Sequence, residues 1–255
     1  MISRNELLKA LRYLVIDRTT VYNNSFPYNC GYIHQNGGLS FDCIGLWKSL
    51  INSNCDIAYK MKPAGYYVQP GLVIPDVNEA GLLNLCSGIS NNFQKIAAGE
   101  YLYMDGHAGV YVGGLFGNTS NVNVVECTIT DYWPANGVVA SWVDPDGTRR
   151  DRKGGKVLGR WTSHGMLSKY VNYNEWYQKN GEWYHATARG WLYDYLYHGW
   201  FYIEKDGKMK TGWLKDSKYW YYLCEKNDGK FFTGQMVTGK YNVPCYFDAS
   251  GHFEY

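Results

Sequence analysis

Residues 40–47 read SFDCIGLW. A cysteine directly follows an aspartate, and Ile44, Leu46, Trp47, Leu50 and Ile51 then recur close to helical spacing. Cys43 therefore falls in the first turn of a predicted helix. Four readings of it are open: a small buried hydrophobe, a metal ligand, half of a disulfide, or a nucleophile. The fold of the first part of the chain hangs on which one holds.

The other cysteines narrow the choice. There are seven, at 30, 43, 55, 86, 127, 224 and 245, an odd number with no CxxC pair. That argues against a zinc ribbon and against a disulfide framework, so neither metal nor cofactor is expected. The 255 residues are 45% hydrophobic, enough for a packed core. A net charge of +2 is too small for a nucleic-acid binder that works by neutralising phosphates. No run of 18 apolar residues predicts a membrane span.

The first residues, MISRNELLKALRYLVIDRTT, read as an amphipathic helix with Ile2, Leu7, Leu8, Leu11 and Leu14 near one stripe. Ser3 with Glu6 matches a capping box. Charges at Arg4, Glu6, Lys9 and Arg12 break any secretory pattern. The expectation is a chain made in the cytoplasm without a signal peptide.

Residues 1–173 read as α+β. FDCIGLWKSLINSN and EAGLLNLCSGI are predicted helices, while EYLYMDG, HAGVYVGG and NVNVVECTI are predicted antiparallel strands. GVVASWVDPDGTRR adds a strand and a turn. Residues 174–255 follow another grammar. Units beginning at Gly190, Gly212 and Gly234 are spaced by 22 residues and carry aromatic strands ahead of Asp206-Gly207, Asp228-Gly229 or Ser250-Gly251. They read as a solenoid of β-hairpins turning at those dipeptides. NEWYQKNGEWYHATA is a degenerate opening unit with its turn at Asn180-Gly181. Gln235 and Pro244 mark an atypical terminal cap.

Three features push Cys43 toward chemistry. The start of a helix stabilises a thiolate and lowers its pKa. Gly37, Gly38 and Gly45 would let substrate approach the backbone. His107 opens a predicted strand and Glu126 lies on the next, which offers a base and an orienting carboxylate. The plainer readings stand beside these. Glu126 could be an edge-strand charge, and His34 is a rival base. Cys30 reads as structural, Cys127 as core. His164 would close the domain against Trp161. Arg149, Arg150, Arg152 and Lys153 read as a solvated face offset by Asp144, Asp146 and Asp151.

PYNCGYIHQNGGLSFDCIGL and HAGVYVG resemble the motifs of the NlpC/P60 cysteine peptidases, over about residues 20–130. The resemblance implies a papain-like fold with Cys43 as nucleophile and His107 as general base. It places Glu126 at the third position, where related CHAP amidases carry an acidic residue, and Tyr28 near the oxyanion. Ile44 replaces the family's usual Ser. Members cut amide bonds of peptidoglycan stem peptides. The repeats, GWLKDSKYWYYL above all, resemble choline-binding cell-wall repeats, whose ring faces cage a quaternary ammonium. Trp200, Tyr202, Trp213, Trp220 and Tyr222 are the candidate walls of one or two cages, against the alternative that such rings are core.

Together these imply a phage or prophage endolysin, acting on the bacterial cell wall after release. Its activity would be that of an N-acetylmuramoyl-L-alanine amidase or an endopeptidase. The expected partners are peptidoglycan and choline or another wall-polymer group, with no nucleic acid; self-association through the repeats is possible. A catalytically dead adhesin and a papain-like acyltransferase are the alternatives.

Overall fold

The computed structural model describes residues 1–25, 28–117, 121–129, 136–241 and 245–254. The chain divides into two units, Met1–Tyr173 and Asn174–Tyr255. Among the described residues it is mostly β, with four helices. None of them is long and apolar enough to cross a membrane.

In the first unit, strand β1 (Ile2–Ser3) leads into α1 (Arg4–Ile16). Ser3 caps the helix by accepting the Glu6 N–H at 3.0 Å. Leu7, Leu8, Leu11 and Leu14 form its buried stripe. Each such leucine contributes about 1.5–3 kcal/mol of burial. Ile2 pairs in parallel with β13 (Val171–Asn172), which ties the two ends of this unit together. Strands β2 (Thr20–Tyr22), β3 (Tyr32–Ile33) and β4 (Leu39–Phe41) make a small sheet with β4 in the middle. β4 runs straight into α2 (Cys43–Asn52), every residue of which is buried. A short helix, α3 (Asp56–Tyr59), follows.

The helix expected over EAGLLNLCSGI is shorter than its apolar pattern suggests. α4 covers Glu79–Leu83 and ends at Asn84. The chain then turns, Gly88 adopts φ +64°, and Ser87–Ser90 forms strand β5. The main sheet has eight strands in the order β11-β10-β9-β8-β7-β6-β12-β5. The remaining members are β6 (Tyr101–Met104), β7 (His107–Tyr111), β8 (Val124–Thr128), β9 (Gly137–Val143), β10 (Thr148–Arg150), β11 (Lys156–Arg160) and β12 (Ser163–Met166). All its pairings are antiparallel, as the sequence predicts for the central strands. One face carries a core of Phe93, Leu102, Val124, Val143 and Trp161.

The second unit is a series of hairpins. β14 (Trp176–Lys179) and β15 (Glu182–His185) turn at Asn180-Gly181, both left-handed at φ +53° and +80°, as a two-residue hairpin demands. β16 (Gly190–Asp194) pairs with β17 (Gly199–Ile203), and β18 (Gly212–Asp216) with β19 (Tyr219–Leu223). These two turn at residues 195–198 and 217–218, not at the Asp-Gly dipeptides the sequence suggested. Asp206 instead accepts the Lys208 N–H at 2.9 Å and bends the chain after its hairpin is complete. That bend returns Met209 and Lys210 to donate to the carbonyls of Trp183 and Tyr202, each at 2.8 Å. Met236 and Val237 do the same to Trp200 and Tyr222, at 2.7 and 3.0 Å. Each bend therefore stitches one hairpin to the one before it. A final sheet holds β20 (Gly239–Lys240), β21 (Tyr246–Phe247) and β22 (Phe253–Glu254). Pro244 lies outside the described residues.

Candidate active site and aromatic cleft

Strand register assembles the first site. Gly109 faces Glu126, Glu126 faces Val139, and Val143 faces Arg149. Side chains two apart share a face, so His107, Glu126, Ser141 and Arg149 all emerge on one side of the sheet. His107 Nε2 lies 2.5 Å from Glu126 Oε2. Arg149 donates to both carboxylate oxygens, and Ser141 donates its hydroxyl to Oε1. Trp161 stacks on the imidazole at 5.6 Å and 26°, and carries the Arg149 guanidinium 5.6 Å above its ring. Glu126 is fully buried, His107 and Arg149 nearly so.

Burial alone would push the Glu126 carboxyl up. The hydrogen bond to His107 and the Arg149 charge outweigh it and hold the group down at about 2. Arg149 was expected on a solvated face; it is instead the buried counter-charge. In a strand as short as β10 alternation splits the arginines, and Arg150 faces outward to pair with Asp144 at 2.5 Å.

The carboxylate fixes the imidazole tautomer. Arg149 Nη2 also lies 3.2 Å from Nε2. Nε2 cannot donate to Glu126 and accept from Arg149 at once. An ionised carboxylate only accepts, so Nε2 carries a hydrogen, and in the neutral ring Nδ1 is the nitrogen without one.

Cys43 sits where the sheet parts. β7 and β8 are paired from Gly109 to Tyr111, but not at Ala108. The Ala108 N–H goes to the Cys43 sulfur instead. The thiol thus lies at the peptide bond following His107. Among the described residues no hydrogen bond joins thiol and imidazole. The low thiol pKa expected from the helix start is not found. Burial pushes the group up to about 11 and the adjacent Asp42 adds to this; the N–H groups of Ala108 and Ile44 act the other way but are outweighed. Asp42 is the N-cap, and its side chain takes the Gly45 N–H at 2.5 Å, away from the sulfur.

The glycines also serve a different purpose from the one expected. Gly37 adopts φ +78° in the turn from His34 to Gly38. A Cβ on Gly45 would come within 1.1 Å of the Asn29 carbonyl oxygen, so the close neighbour is the chain's own 3-10 turn, Tyr28–Cys30, and not a substrate. The Tyr28 side chain lies outside the described residues.

The rival residues are occupied elsewhere. His34 Nε2 is hydrogen-bonded to Ser40 Oγ. Cys127 points to the helix side, its sulfur donating to the Phe41 carbonyl at 3.3 Å. His164 pairs with Glu100 at 2.5 Å and packs on Phe93, while the expected partner, Trp161, covers His107. All seven cysteines are free, five of them buried. Among the described residues no three His, Cys, Asp or Glu side chains group as a metal site.

In the second unit, register makes Trp176, Trp191 and Trp213 equivalent, and likewise Trp183, Trp200 and Trp220. The first of these pairs, with Tyr197, Phe201, Met209 and Phe232, lines a cleft of about 190 Å³. Trp176 meets Phe201 of the next hairpin at 5.3 Å, and Trp191 meets Tyr221 of the one after at 4.8 Å. Trp176 Nε1 donates to Asp194 at 2.7 Å and Trp191 Nε1 to Asp216 at 2.8 Å.

The five rings singled out in the sequence therefore do not form one cage. Trp213 meets Trp220 at 6.2 Å and Tyr222 at 5.3 Å on one hairpin, with Phe253 added at 5.3 Å. Trp200 contacts Tyr193, and Tyr202 contacts Trp191, on the preceding hairpin. Trp200, Trp213 and Trp220 are 43%, 45% and 43% exposed, more than a core role requires.

No protein-family model and no curated protein matches the sequence. Solved structures do. Choline binding protein F of Streptococcus pneumoniae is 23% identical at a TM-score of 0.27; the match covers 62% of this chain and 52% of that one. The choline binding domain of another Streptococcus pneumoniae protein is 23% identical at a TM-score of 0.27, over 33% of this chain and 98% of that one. A pneumococcal cell wall endolysin from phage Cp-1, complexed with choline, is 23% identical at 0.23, over 45% and 36%. The chain spans about half the length of the first of these. Scores this low assign neither fold nor activity.

Proposed function

We propose that the chain is a cell-wall hydrolase of endolysin type, a papain-like cysteine amidohydrolase of the first unit carried to the wall by the aromatic hairpins of the second. The observation that carries the catalytic reading is the His107 Nε2–Glu126 contact of 2.5 Å, one peptide from the Cys43 sulfur. The aromatic cleft beside Trp176 and Trp183 supports the targeting reading, because ring faces attract a quaternary ammonium such as choline.

In this reading Nδ1 of His107 takes the Cys43 proton as the sulfur attacks the carbonyl carbon of an amide in the peptidoglycan stem. Burial raises the thiol pKa, so in this reading proton transfer to His107 accompanies attack. The Cys43 backbone N–H, at the free end of α2, meets the oxyanion. The imidazolium then protonates the leaving amine, which departs and leaves a thioester. A water, deprotonated by His107, releases the acid and restores the thiol. Glu126 holds the ring and stabilises its charge.

A second reading, wall binding without catalysis, is favoured by the raised thiol pKa and the missing thiol–imidazole hydrogen bond. Turbidity of purified choline-bearing walls separates the two. The wild-type chain should clear them, and Cys43→Ala should bind without clearing. Clearing by Cys43→Ala would remove the nucleophile.

A further inference from the structure

Arg149 is the one charged group in the His107 cluster that the catalytic scheme does not use. It is 5% exposed, on β10, and carries a full positive charge into the core. The charged groups that contact the imidazole are Glu126 from β8 and Arg149 from β10; the Cys43 sulfur of α2, with Asp42 beside it, takes the N–H of the next residue, Ala108. Ser141 and Trp161 are uncharged. The carboxylate accepts from Ser141, His107 and twice from Arg149, so Arg149 supplies its only fixed counter-charge among these groups.

We infer that Arg149 is a positioning residue: by keeping Glu126 ionised it holds His107 as the Nε2–H tautomer and so keeps Nδ1 available as a base. The inference rests on the catalytic assignment of His107 for its purpose. The chemistry follows from proton balance. With Arg149 present, a carboxylate and a guanidinium cancel, and the imidazole stays neutral with its hydrogen on Nε2. With Arg149 gone, a lone carboxylate is left buried, which is costly, and the site recovers neutrality by taking one proton from solvent. That proton has two places to go. On the imidazole it produces a ring protonated at both nitrogens. On Glu126 it makes the carboxyl a donor to Nε2, and the ring hydrogen moves to Nδ1. Both outcomes put a hydrogen on Nδ1, and a ring so protonated cannot accept one from the Cys43 thiol.

The Trp161 contacts fit this role. Its ring lies against the imidazole on one hand and under the guanidinium on the other, so both planes are held by a single indole. Gly109 makes room for it: a Cβ there would come within 2.9 Å of the Trp161 ring.

The test is nitrogen NMR of the full chain labelled at its six histidines, with His107 assigned by His107→Gln. Wild type should show hydrogen on Nε2 alone. Arg149→Met should show hydrogen on Nδ1 and lose about 10²–10⁴-fold in lytic rate, the usual worth of a general base. Arg149→Lys, which keeps the charge, should keep the wild-type tautomer and most of the activity. An Arg149→Met protein with Nδ1 still bare overturns the inference, as does full lysis by that variant. Should Arg149→Met not fold, hydrogen on Nδ1 in Arg149→Lys overturns it equally. If wild type proves not to be lytic but Arg149→Met still moves the hydrogen, the positioning role stands and the catalytic reading falls.

Discussion

The Asn29 carbonyl oxygen occupies the place where residue 45 would carry a side chain; a Cβ at Gly45 would lie 1.1 Å from it. The same contact sets the 3-10 turn against the first turn of α2, two residues beyond Cys43.

Gly45→Ala should therefore destabilise the first unit, by about 1–3 kcal/mol or more as an overpacked core position. The sign is the informative part. In an open helix the same change would stabilise by roughly 0.5–1 kcal/mol. A denaturant midpoint that rises would show that no close approach exists there.

Glu126→Gln should leave Arg149 buried without its carboxylate and cost about 3–5 kcal/mol. It should also flatten the acid limb of stability. Glu126 sits at about 2 in the folded chain, against roughly 4.3 when unfolded. Its stabilisation is complete above the unfolded value and is lost as pH falls through the folded one. Urea titrations between pH 5 and 2, wild type against variant, should converge toward the acid end. Parallel curves would mean that Glu126 is not held low.

Asp194 joins two hairpins. It accepts the Trp176 indole N–H and the backbone N–H groups of Leu196 and Tyr197, and it is buried. Asp194→Ala should lower the unfolding free energy of the second unit by about 1.5–3 kcal/mol or more, the value of hydrogen bonds to a charged group. Asp216→Ala should cost less, because Asp216 is only half-buried. Differential scanning calorimetry of the full-length variants gives the order, and an equal loss would contradict it.

Trp183 forms one wall of the 190 Å³ cleft and is 38% exposed. Trp183→Ala should weaken binding of choline, followed by tryptophan fluorescence, by about 0.5–2 kcal/mol of cation–π attraction. Leu72→Ala, an exposed change in the other unit, should leave it unaltered. A choline titration identical in wild type and Trp183→Ala would move the ligand elsewhere.

Local chemistry made much of this legible. Ser3 and Glu6 announce the first helix, alternation announces β6 to β9, and Asn180-Gly181 announces the first hairpin. His107 and Glu126 could be placed together because both sit on neighbouring strands with matching parity. Arg149 could not, since three further basic residues and three acidic ones surround it and disguise a single inward side chain. Its parity relative to Val143 was the available signal. The Trp176–Trp183 cleft was not read from the sequence because its rings come from hairpins adjacent in the fold, and the opening unit's pattern is degenerate. The strong Asp-Gly signals drew attention to the outer bends instead of the hairpin turns. The thiol pKa followed from burial, which a helix position does not reveal.

A sulfur that keeps its proton at rest is a poor target for oxidants. Burial holds the Cys43 group up at about 11, so the anion is a minor form at neutral pH. Peroxide and iodoacetamide, which attack the anion, would find little of it. Modification of Cys43 by either reagent would therefore be slow in the folded chain.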